Sequence, residues 1–391
     1  MDLANKFSDK LNDVDSSEIN DILSVLQRDD IISLAGGNPA IESFPAAQLA
    51  EISYDIIKNS PRTSLQYNVT EGYSPLRKII AERMKKINSI GGFDDVIVTT
   101  GAQQAIDLVA RIFINDGDGV VAELPSFIGA LNSFRSYGAK LFGVPMQSDG
   151  MDMDVLEDIL KKEKIKFIYT IPTFQNPTGV TMSLEKREKL MYLAEKYDFL
   201  ILEDNPYGEL RFSGEYVPTI KSLDKSGRVI YSGSFSKILS SGIRVGWLCG
   251  HKDIIGRISV AKQSADVHTS TLTQMMVAEY LNRYSIDEHI KKICELYGRK
   301  CKIMLDAMDK YFPKHCTYTR PDGGIFLYCY LPEGSDSKAL LKRAIENKVA
   351  FVPGHTFMID MSKPTNTFRL NYSLVPEDKI ESAIKSLSEI L

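Results

Sequence analysis

Short apolar stretches alternate with helical patterns through the middle of this sequence. Each stretch has five or six residues and is rich in β-branched side chains, which is typical of buried strands. These stretches begin at Asp95, Gly119, Lys166, Phe199, Val229 and Val245. Amphipathic patterns between them predict helices, for example over 102–113 and 184–197. We therefore expect an α/β fold whose mainly parallel sheet is flanked by helices.

The pattern changes after about residue 280. It predicts a long helix from about Asp287 to Phe312, a hairpin turn at Pro321-Asp-Gly-Gly, a helix over 338–347, a strand over 367–372 and a last helix. These elements indicate a smaller α+β domain, and a short helix is also predicted over 16–30. We expect a large domain over 45–280 and a small domain formed by 1–44 and 281–391.

Polar residues follow several of the predicted strands directly. Gly101, Asp204 and Ser234 each stand at the end of one. Because ligands bind beside the carboxyl ends of strands in parallel sheets, we expect these three positions to mark a site.

Composition narrows the possible functions. The 391 residues include 47 Lys and Arg against 51 Asp and Glu, for a net charge of −4, which gives no reason to expect nucleic acid or an anionic membrane as partner. The sequence has no long apolar run and its start lacks the pattern of a signal peptide. Five cysteines without a Cys-x-x-Cys pair favour reduced thiols and a cytoplasmic protein. The scattered histidines make a metal site improbable.

One segment combines hydroxyl groups with two cations. Ser234-Phe-Ser236-Lys237 is followed seven residues later by Arg244. Hydroxyls and a guanidinium suit a phosphate group, and a desolvated lysine beside it is able to act as a Schiff-base nucleophile. A solvated polar loop is an equally good interpretation of these residues alone.

Three further motifs are weak when taken singly. Asp204 would need a positive partner at a buried strand end, such as a protonated pyridine nitrogen, although a structural ion pair would serve as well. Asn176-Pro-Thr-Gly is a turn signal. Gly101-Ala102-Gln103 begins a predicted helix, where free amides form an anion site. The nucleotide-binding glycine motifs do not occur in the sequence.

As an ordered set, these motifs resemble the fold type I pyridoxal phosphate enzymes of the class I/II aminotransferase family. The resemblance covers nearly the whole chain and is carried by Asn176-Pro-Thr-Gly, Asp204-x-x-Tyr207, Ser234-Phe-Ser-Lys237 and Gly242-Ile-Arg244-x-Gly. Ser33-Leu-Ala-Gly-Gly-Asn-Pro and Thr367-Phe-Arg-Leu-Asn-Tyr are similar to the kynurenine/2-aminoadipate aminotransferase branch.

The resemblance implies pyridoxal 5'-phosphate as cofactor and a role for each matching residue. Lys237 would bind the cofactor covalently and move the substrate proton as general base and acid. Asp204 would hold the proton on the pyridine nitrogen, and Asn176 and Tyr207 would bond to the phenolic oxygen. The catalytic residues would be Lys237, Asp204 and Tyr207.

The resemblance also implies the remaining contacts of the cofactor and the substrate. The phosphate would be bound by Ser234, Ser236, Arg244 and the amides that follow Gly101, those of Ala102 and Gln103. Phe127 would stack on the pyridine ring, and Tyr67 would reach the phosphate from the neighbouring subunit of a homodimer. Arg369 would bind the substrate α-carboxylate, with Gly37 and Asn176 beside it.

The implied activity is ping-pong transfer of an amino group from an L-amino acid to a 2-oxo acid such as 2-oxoglutarate. A neutral, aromatic or aminoadipate-like donor fits the branch, and the uncharged Asn20 in the N-terminal segment favours neutral or aromatic donors. A pyridoxal phosphate-dependent β-lyase or decarboxylase remains an alternative. A non-catalytic regulator is the other, but only about 30 residues precede Gly36-Gly37, too few for a DNA-binding domain.

Overall fold

The computed structural model describes residues 6–8, 10, 28, 30–92 and 94–391. The strands are β1 (Ile32–Ser33), β2 (Asp94–Thr99), β3 (Gly119–Leu124), β4 (Lys140–Gln147), β5 (Gly150–Met151), β6 (Ile165–Thr170), β7 (Leu200–Asp204), β8 (Val229–Ser234), β9 (Gly246–His251), β10 (Thr317–Tyr318), β11 (Phe326–Tyr330), β12 (Val349–Ala350), β13 (Val352–Pro353) and β14 (Thr367–Asn371). The helix predicted over 16–30 lies outside the described residues except at its C-terminal end, and so does Asn20.

Helices connect and cover these strands. They are α1 (Ala46–Asn59), α2 (Pro61–Ser64), α3 (Ser74–Lys86), α4 (Ala102–Phe113), α5 (Ile128–Ser136), α6 (Met153–Leu160), α7 (Leu184–Tyr197), α8 (Ile220–Leu223), α9 (Lys252–Asp266), α10 (Thr271–Arg283), α11 (Ile286–Tyr311), α12 (Ser337–Glu346) and α13 (Glu377–Ser388). In the part of the chain that the structure describes, none of them is long and apolar enough to cross a membrane.

Eight strands form the large sheet, in the order β2-β9-β8-β7-β6-β3-β4-β5. The pairs β8–β7, β7–β6, β6–β3 and β3–β4 are parallel, whereas β9 is antiparallel to both of its neighbours. Since β2 and β8 both run against β9, they run in the same direction. The predicted mainly parallel α/β sheet is therefore confirmed.

The large sheet is covered on both faces because successive side chains of a strand point in opposite directions. In β3, Val120 and Ala122 belong to the larger apolar cluster, which includes Ile106 of α4. Val121 belongs to a second cluster with Leu156 of α6 and Leu190 of α7. Strands buried on both faces explain the continuous apolar runs that the sequence shows.

The strands and helices predicted along 95–249 occur within one or two residues of the expected bounds. Strand β4 was missed because Gly143 and Pro145 interrupt its apolar pattern. It lies near the edge of the sheet, paired with β3 over its length and with the two-residue β5 at its end. Proline is tolerated at such edge positions.

Two smaller sheets contain the remaining six strands of the described residues. Four antiparallel strands follow the order β10-β11-β14-β13, and β1 pairs with β12 in parallel. Strands β10 and β11 form the hairpin expected around Pro321-Asp-Gly-Gly, with Thr317 opposite Tyr330. The division into a large domain over 45–280 and a small domain over 1–44 and 281–391 stays a prediction.

The topology brings several strand ends to one edge of the large sheet. Strands β2, β6, β7 and β8 run in the same direction and end at Thr99, Thr170, Asp204 and Ser234. Polar side chains that are distant in the sequence therefore share this edge.

Candidate active site

A cavity of about 510 Å³ opens at this edge, between the large sheet and residues of the small sheets. All of the predicted site residues except Gly101 and Tyr67 line it. They are Gly37, Ala102, Gln103, Phe127, Asn176, Asp204, Tyr207, Ser234, Ser236, Lys237, Arg244 and Arg369. The structure thus brings the separate motifs together in one site.

Asp204 is buried at the end of β7, with only 2% of its surface exposed. Its Oδ2 accepts a hydrogen bond from the Tyr169 hydroxyl at 2.9 Å, and its Oδ1 has no partner among the described residues. Burial raises the pKa of Asp204 to about 6, against interactions with the Tyr169 and Ser232 hydroxyls, which lower it. A cationic N–H group in the cavity would satisfy the free oxygen.

The neighbouring acid has a different place. Strand alternation turns Glu203 to the opposite face from Asp204, where its carboxylate accepts from the amides of Ile220 at 3.0 Å and Lys221 at 2.7 Å. Glu203 therefore holds the start of α8, and Asp204 alone of this pair lines the cavity.

Lys237 lies just beyond β8. Its Nζ donates to the carbonyl oxygen of Gly37 at 2.5 Å. Burial, with the positive charges of Arg369 and Arg244, lowers the pKa of Lys237 to about 8. A sizeable fraction of this amine is consequently neutral near pH 8, and a neutral amine is the form that acts as nucleophile or base.

One end of the cavity brings together hydroxyl groups, a guanidinium and a helix N-terminus, a combination that suits an anion. Ser234 Oγ donates to Ser236 Oγ at 2.9 Å, and the Ser236 amide donates to Ser234 Oγ at 3.1 Å. The Arg244 guanidinium donates to the Ser241 carbonyl at 3.1 Å and to the Thr100 carbonyl at 3.4 Å. The N-terminus of α4 faces the same space.

Gly101 precedes α4 and contacts this end without lining the cavity. Its φ of +79° favours glycine, and a Cβ atom there would collide with the Arg244 guanidinium. Glycine at this position therefore allows Arg244 to lie against the first turn of the helix.

Arg369 stands in β14, between Tyr328 of β11 and Val352 of β13. Its two terminal nitrogens donate to Asn176 Oδ1 and to the Ala35 carbonyl, each at 2.8 Å. Its guanidinium lies 4.1 Å from the centre of the Phe326 ring.

The Arg369 side chain is incompletely satisfied. Only 7% of the residue is exposed, and its Nε has no partner among the described residues. Burial lowers its pKa to about 10, so it remains a cation at neutral pH. A carboxylate is the natural ligand of such a planar fork.

Aromatic residues complete the cavity. Phe127 is half-buried directly before α5, and the Tyr207 ring packs edge-on against Phe326 at 5.7 Å between ring centres. Burial raises the pKa of Tyr207, which keeps its hydroxyl protonated. The Gln103 side chain donates to the Gly129 carbonyl at 2.9 Å.

Two buried residues of the site were not singled out from the sequence. Tyr169 bonds to Asp204 as described, and Glu123 accepts from the Thr170 hydroxyl, the Ile171 amide and the Gln175 side chain at 2.5, 3.1 and 3.2 Å. Burial raises the pKa of Glu123 to about 7. A signal for Tyr169 existed, because a polar group in an otherwise apolar strand needs a partner.

Tyr67 lies apart from the cavity. Its side chain is 80% exposed, and its ring packs edge-on against that of His268 at 5.9 Å. The expectation that it reaches the cofactor of a neighbouring subunit stays a prediction.

Comparison with known proteins agrees with the motifs. The family described as aminotransferase class I and II matches residues 29–387. The chain is 43% identical to aromatic-amino-acid aminotransferase 1 of Thermococcus litoralis, covering 100% of this chain and 95% of that protein. It is 39% identical to the 2-aminoadipate transaminase of Thermus thermophilus, covering 97% and 94%. The fold also matches the crystal structure of Pyrococcus horikoshii kynurenine aminotransferase in complex with PMP, KYN and KYA, with a TM-score of 0.96 and 41% sequence identity. The match covers 100% of this chain and 97% of that one.

We expect the Asp204→Asn protein, without ligand, to be more stable than the wild type above pH 6. The folded protein raises the pKa of Asp204 from 3.8 to about 6, so folding binds a proton in this window and stability falls as the pH rises through it. At about 1.4 kcal/mol per pKa unit the gain is at most about 3 kcal/mol at pH 7.5, and it should vanish near pH 4. Urea unfolding at both pH values measures it.

Asp224→Asn is the matched control of opposite sign. Burial raises the pKa of Asp224, but the Lys221 ammonium 3.0 Å away holds it below the ordinary value. Replacing the charged Asp224 carboxylate by an amide should therefore lower the free energy of unfolding at pH 7.5. An Asp204→Asn protein that is no more stable than the wild type at pH 7.5 would show that the charged Asp204 carboxylate does not destabilise the folded protein, and would contradict its raised pKa.

Proposed function

The chain belongs to the aminotransferase class I and II family, and we propose that it transfers the amino group of a neutral or aromatic L-amino acid to a 2-oxo acid such as 2-oxoglutarate. It is an amino-acid aminotransferase that uses pyridoxal 5'-phosphate. The observation that carries the proposal is that the free Asp204 Oδ1, the Lys237 amine and the Arg369 guanidinium all face one cavity.

The described residues fit the cofactor. The free oxygen of Asp204 would hold the proton on the pyridine nitrogen, and Phe127 would cover one face of the ring. Ser234, Ser236, Arg244 and the first amides of α4 would bind the phosphate at the anion-binding end. When bound, pyridoxal phosphate withdraws electrons from the substrate Cα and carries the amino group between the two half-reactions.

Asn176 would link the cofactor and substrate sites. Its Oδ1 already accepts from Arg369, so its Nδ2 is left to donate to the phenolic oxygen of the cofactor. Tyr207 would donate to the same oxygen, since its hydroxyl stays protonated.

Lys237 Nζ would take the proton from the substrate Cα and deliver it to the aldehyde carbon of the cofactor. Its lowered pKa supports this assignment, because a base with a pKa near the working pH is able to accept and release a proton. Its bond to the Gly37 carbonyl places Nζ beside the segment that would contact the substrate.

Arg369 would bind the α-carboxylate that amino acid and oxo acid share. Its unpartnered Nε and the remaining N–H groups offer the fork that a carboxylate needs. Because Arg369 belongs to an inner strand of the four-stranded sheet, its backbone is held on both sides.

The walls of the cavity favour an uncharged donor side chain. Its cations among the described residues are Lys237, Arg244 and Arg369, and each already has a proposed partner. Besides Asn176, the lining beside Arg369 includes the apolar residues Val352 and Phe357. A second carboxylate on the donor would find no further cation in this part of the site.

We also propose a cytoplasmic homodimer. Ile41, Leu65, Tyr67 and Val69 are largely exposed, and such apolar groups favour burial against a second copy of the chain. The five cysteines are free, which suits a reducing compartment.

A panel of donors with 2-oxoglutarate as acceptor tests the substrate assignment. Norleucine and 2-aminoadipate form a matched pair, since they differ mainly in the terminal carboxylate. We expect kcat/KM to be at least about tenfold higher for norleucine, because an unpaired carboxylate is costly to desolvate. Aromatic donors should also react well. A strict preference for 2-aminoadipate over all aromatic and aliphatic donors would overturn the assignment.

Arg369→Ala should leave cofactor affinity intact and raise KM for amino acids and oxo acids alike. Loss of a buried charge-assisted pair costs roughly 2–5 kcal/mol. The control is a donor without a carboxylate, so phenylalanine is compared with phenethylamine in both proteins. If the variant loses as much activity toward the amine as toward the amino acid, Arg369 does not bind the carboxylate.

Mixing two impaired variants tests whether the site is shared between subunits. If Tyr67 reaches the phosphate across the interface, a heterodimer of Lys237→Ala and Tyr67→Ala chains has one site with both lesions and one with none. Loss of the Tyr67 bond to a charged group costs about 1.5–3 kcal/mol, so the Tyr67→Ala homodimer should need excess cofactor. At low cofactor, the exchanged mixture should exceed the summed activity of both homodimers. Unchanged activity after verified subunit exchange would refute a Tyr67 contribution in trans.

A further inference from the structure

We propose that a buried network centred on Lys262 and Asp266 positions the turn between β2 and α4 for phosphate binding. The inference rests on the proposed phosphate site. None of the network residues lines the cavity, so their role would be to position the groups that do.

Lys262 is the centre of the network. It lies in α9, and its side chain has 0% exposure. Its Nζ lies 2.7 Å from Gln104 Oε1, 2.9 Å from both carboxylate oxygens of Asp266 and 3.0 Å from Thr269 Oγ1. An ammonium group has three N–H donors, so these acceptors use its full capacity.

The acceptors of Lys262 hold Thr100 in turn. Gln104 Oε1 also accepts from the Thr100 amide at 2.8 Å, while Asp266 Oδ2 accepts from the Thr100 hydroxyl at 3.0 Å and from Gln104 Nε2 at 2.6 Å. The backbone and side chain of Thr100 are thus fixed together. Thr100 directly precedes Gly101 and the first amides of α4.

The same turn is held from the cavity side by Arg244. Its guanidinium donates to the Thr100 carbonyl at 3.4 Å and lies against Gly101. The network and Arg244 therefore both form hydrogen bonds to Thr100. Small shifts of Thr100 would move both the helix amides and the guanidinium that are proposed to bind phosphate.

Stability alone is a poor explanation for this arrangement. Lys262 is fully buried and only 28% of the Asp266 side chain is exposed, so the pair loses most of its water. Such a pair rarely stabilises a protein more than apolar side chains of the same size. A fully bonded polar network in a low dielectric does, however, fix geometry. The charges of Lys262 and Asp266 also cancel, so the pair is expected to act on a bound phosphate by positioning Thr100 and the turn rather than by direct electrostatic attraction.

The chain contains a matched control at the opposite edge of the sheet. Lys221 has 1% side-chain exposure and forms ion pairs with Asp94 at 2.8 Å and Asp224 at 3.0 Å. It also donates to the carbonyl of Val229, at the start of β8. Lys221→Met removes a comparable buried ion-pair centre without touching the phosphate end.

The experiment compares the affinity of the cofactor-free protein for pyridoxal phosphate and for pyridoxal, which lacks the phosphate. Lys262→Met should raise the Kd for pyridoxal phosphate about tenfold and leave that for pyridoxal within about twofold, since a hydrogen-bonding geometry to a charged group is lost. Gln104→Met should act in the same direction. Lys221→Met should leave the ratio of the two Kd values unchanged.

Arg244→Ala separates the possible failures. If it leaves the Kd ratio unchanged, the proposed phosphate site is wrong and this inference falls with it. If Arg244→Ala changes the ratio but Lys262→Met and Gln104→Met do not, only the positioning role is overturned. A parallel change in both Kd values for Lys262→Met likewise overturns it. Should Lys262→Met fail to fold, Gln104→Met decides the question.

Discussion

Burial of charge at the carboxyl edge of the large sheet is the constraint on which the site depends. Asp204 and Arg369 are buried and Lys237 is half-buried. In each the pKa moves toward the uncharged form, as desolvation requires. Asp204 Oδ1 and Arg369 Nε have no partner among the described residues. In the proposed function, a cationic N–H group of the cofactor would satisfy Asp204 and the substrate carboxylate would satisfy Arg369. Binding would then be favoured because it satisfies polar atoms that folding leaves without partners.

The sheet makes this selection among otherwise similar acids. Glu123 is as buried as Asp204, yet its oxygens have three donors in the two segments beside it. Glu203 differs from Asp204 by one position, and strand alternation alone assigns it to backbone amides on the other face. Of these three acids, only Asp204 has a carboxylate oxygen without a partner among the described residues. The position of an acid along its strand therefore decides its role as much as its residue type does.

The sequence was informative where the pattern is local. Runs of apolar residues predicted the strands, and the order of the motifs predicted which residues would meet in the cavity. Local pattern does not encode which strands are neighbours, so the order β2-β9-β8-β7-β6-β3 was not foreseen. Neither was the bond from Tyr169 to Asp204, since it depends on β6 lying beside β7 with Tyr169 opposite Leu202. The Lys262 network was missed for the same reason, because α9 and α4 meet only through tertiary packing.

The groups that would bind the cofactor and the carboxylate lie in different parts of the fold from the residues that would contact the donor side chain. In the proposed function the carboxylate site belongs to a central strand, and the cofactor site belongs to strand ends and the turns that follow them. Asn176 joins the two sites, since its side-chain carbonyl oxygen accepts from Arg369 and its Nδ2 is left to donate to the cofactor. In the same proposal the donor side chain would meet apolar residues of the lining such as Val352 and Phe357. Substitutions at such positions would change the shape of the cavity more than its charge, which would allow one scaffold to serve relatives that act on different amino acids.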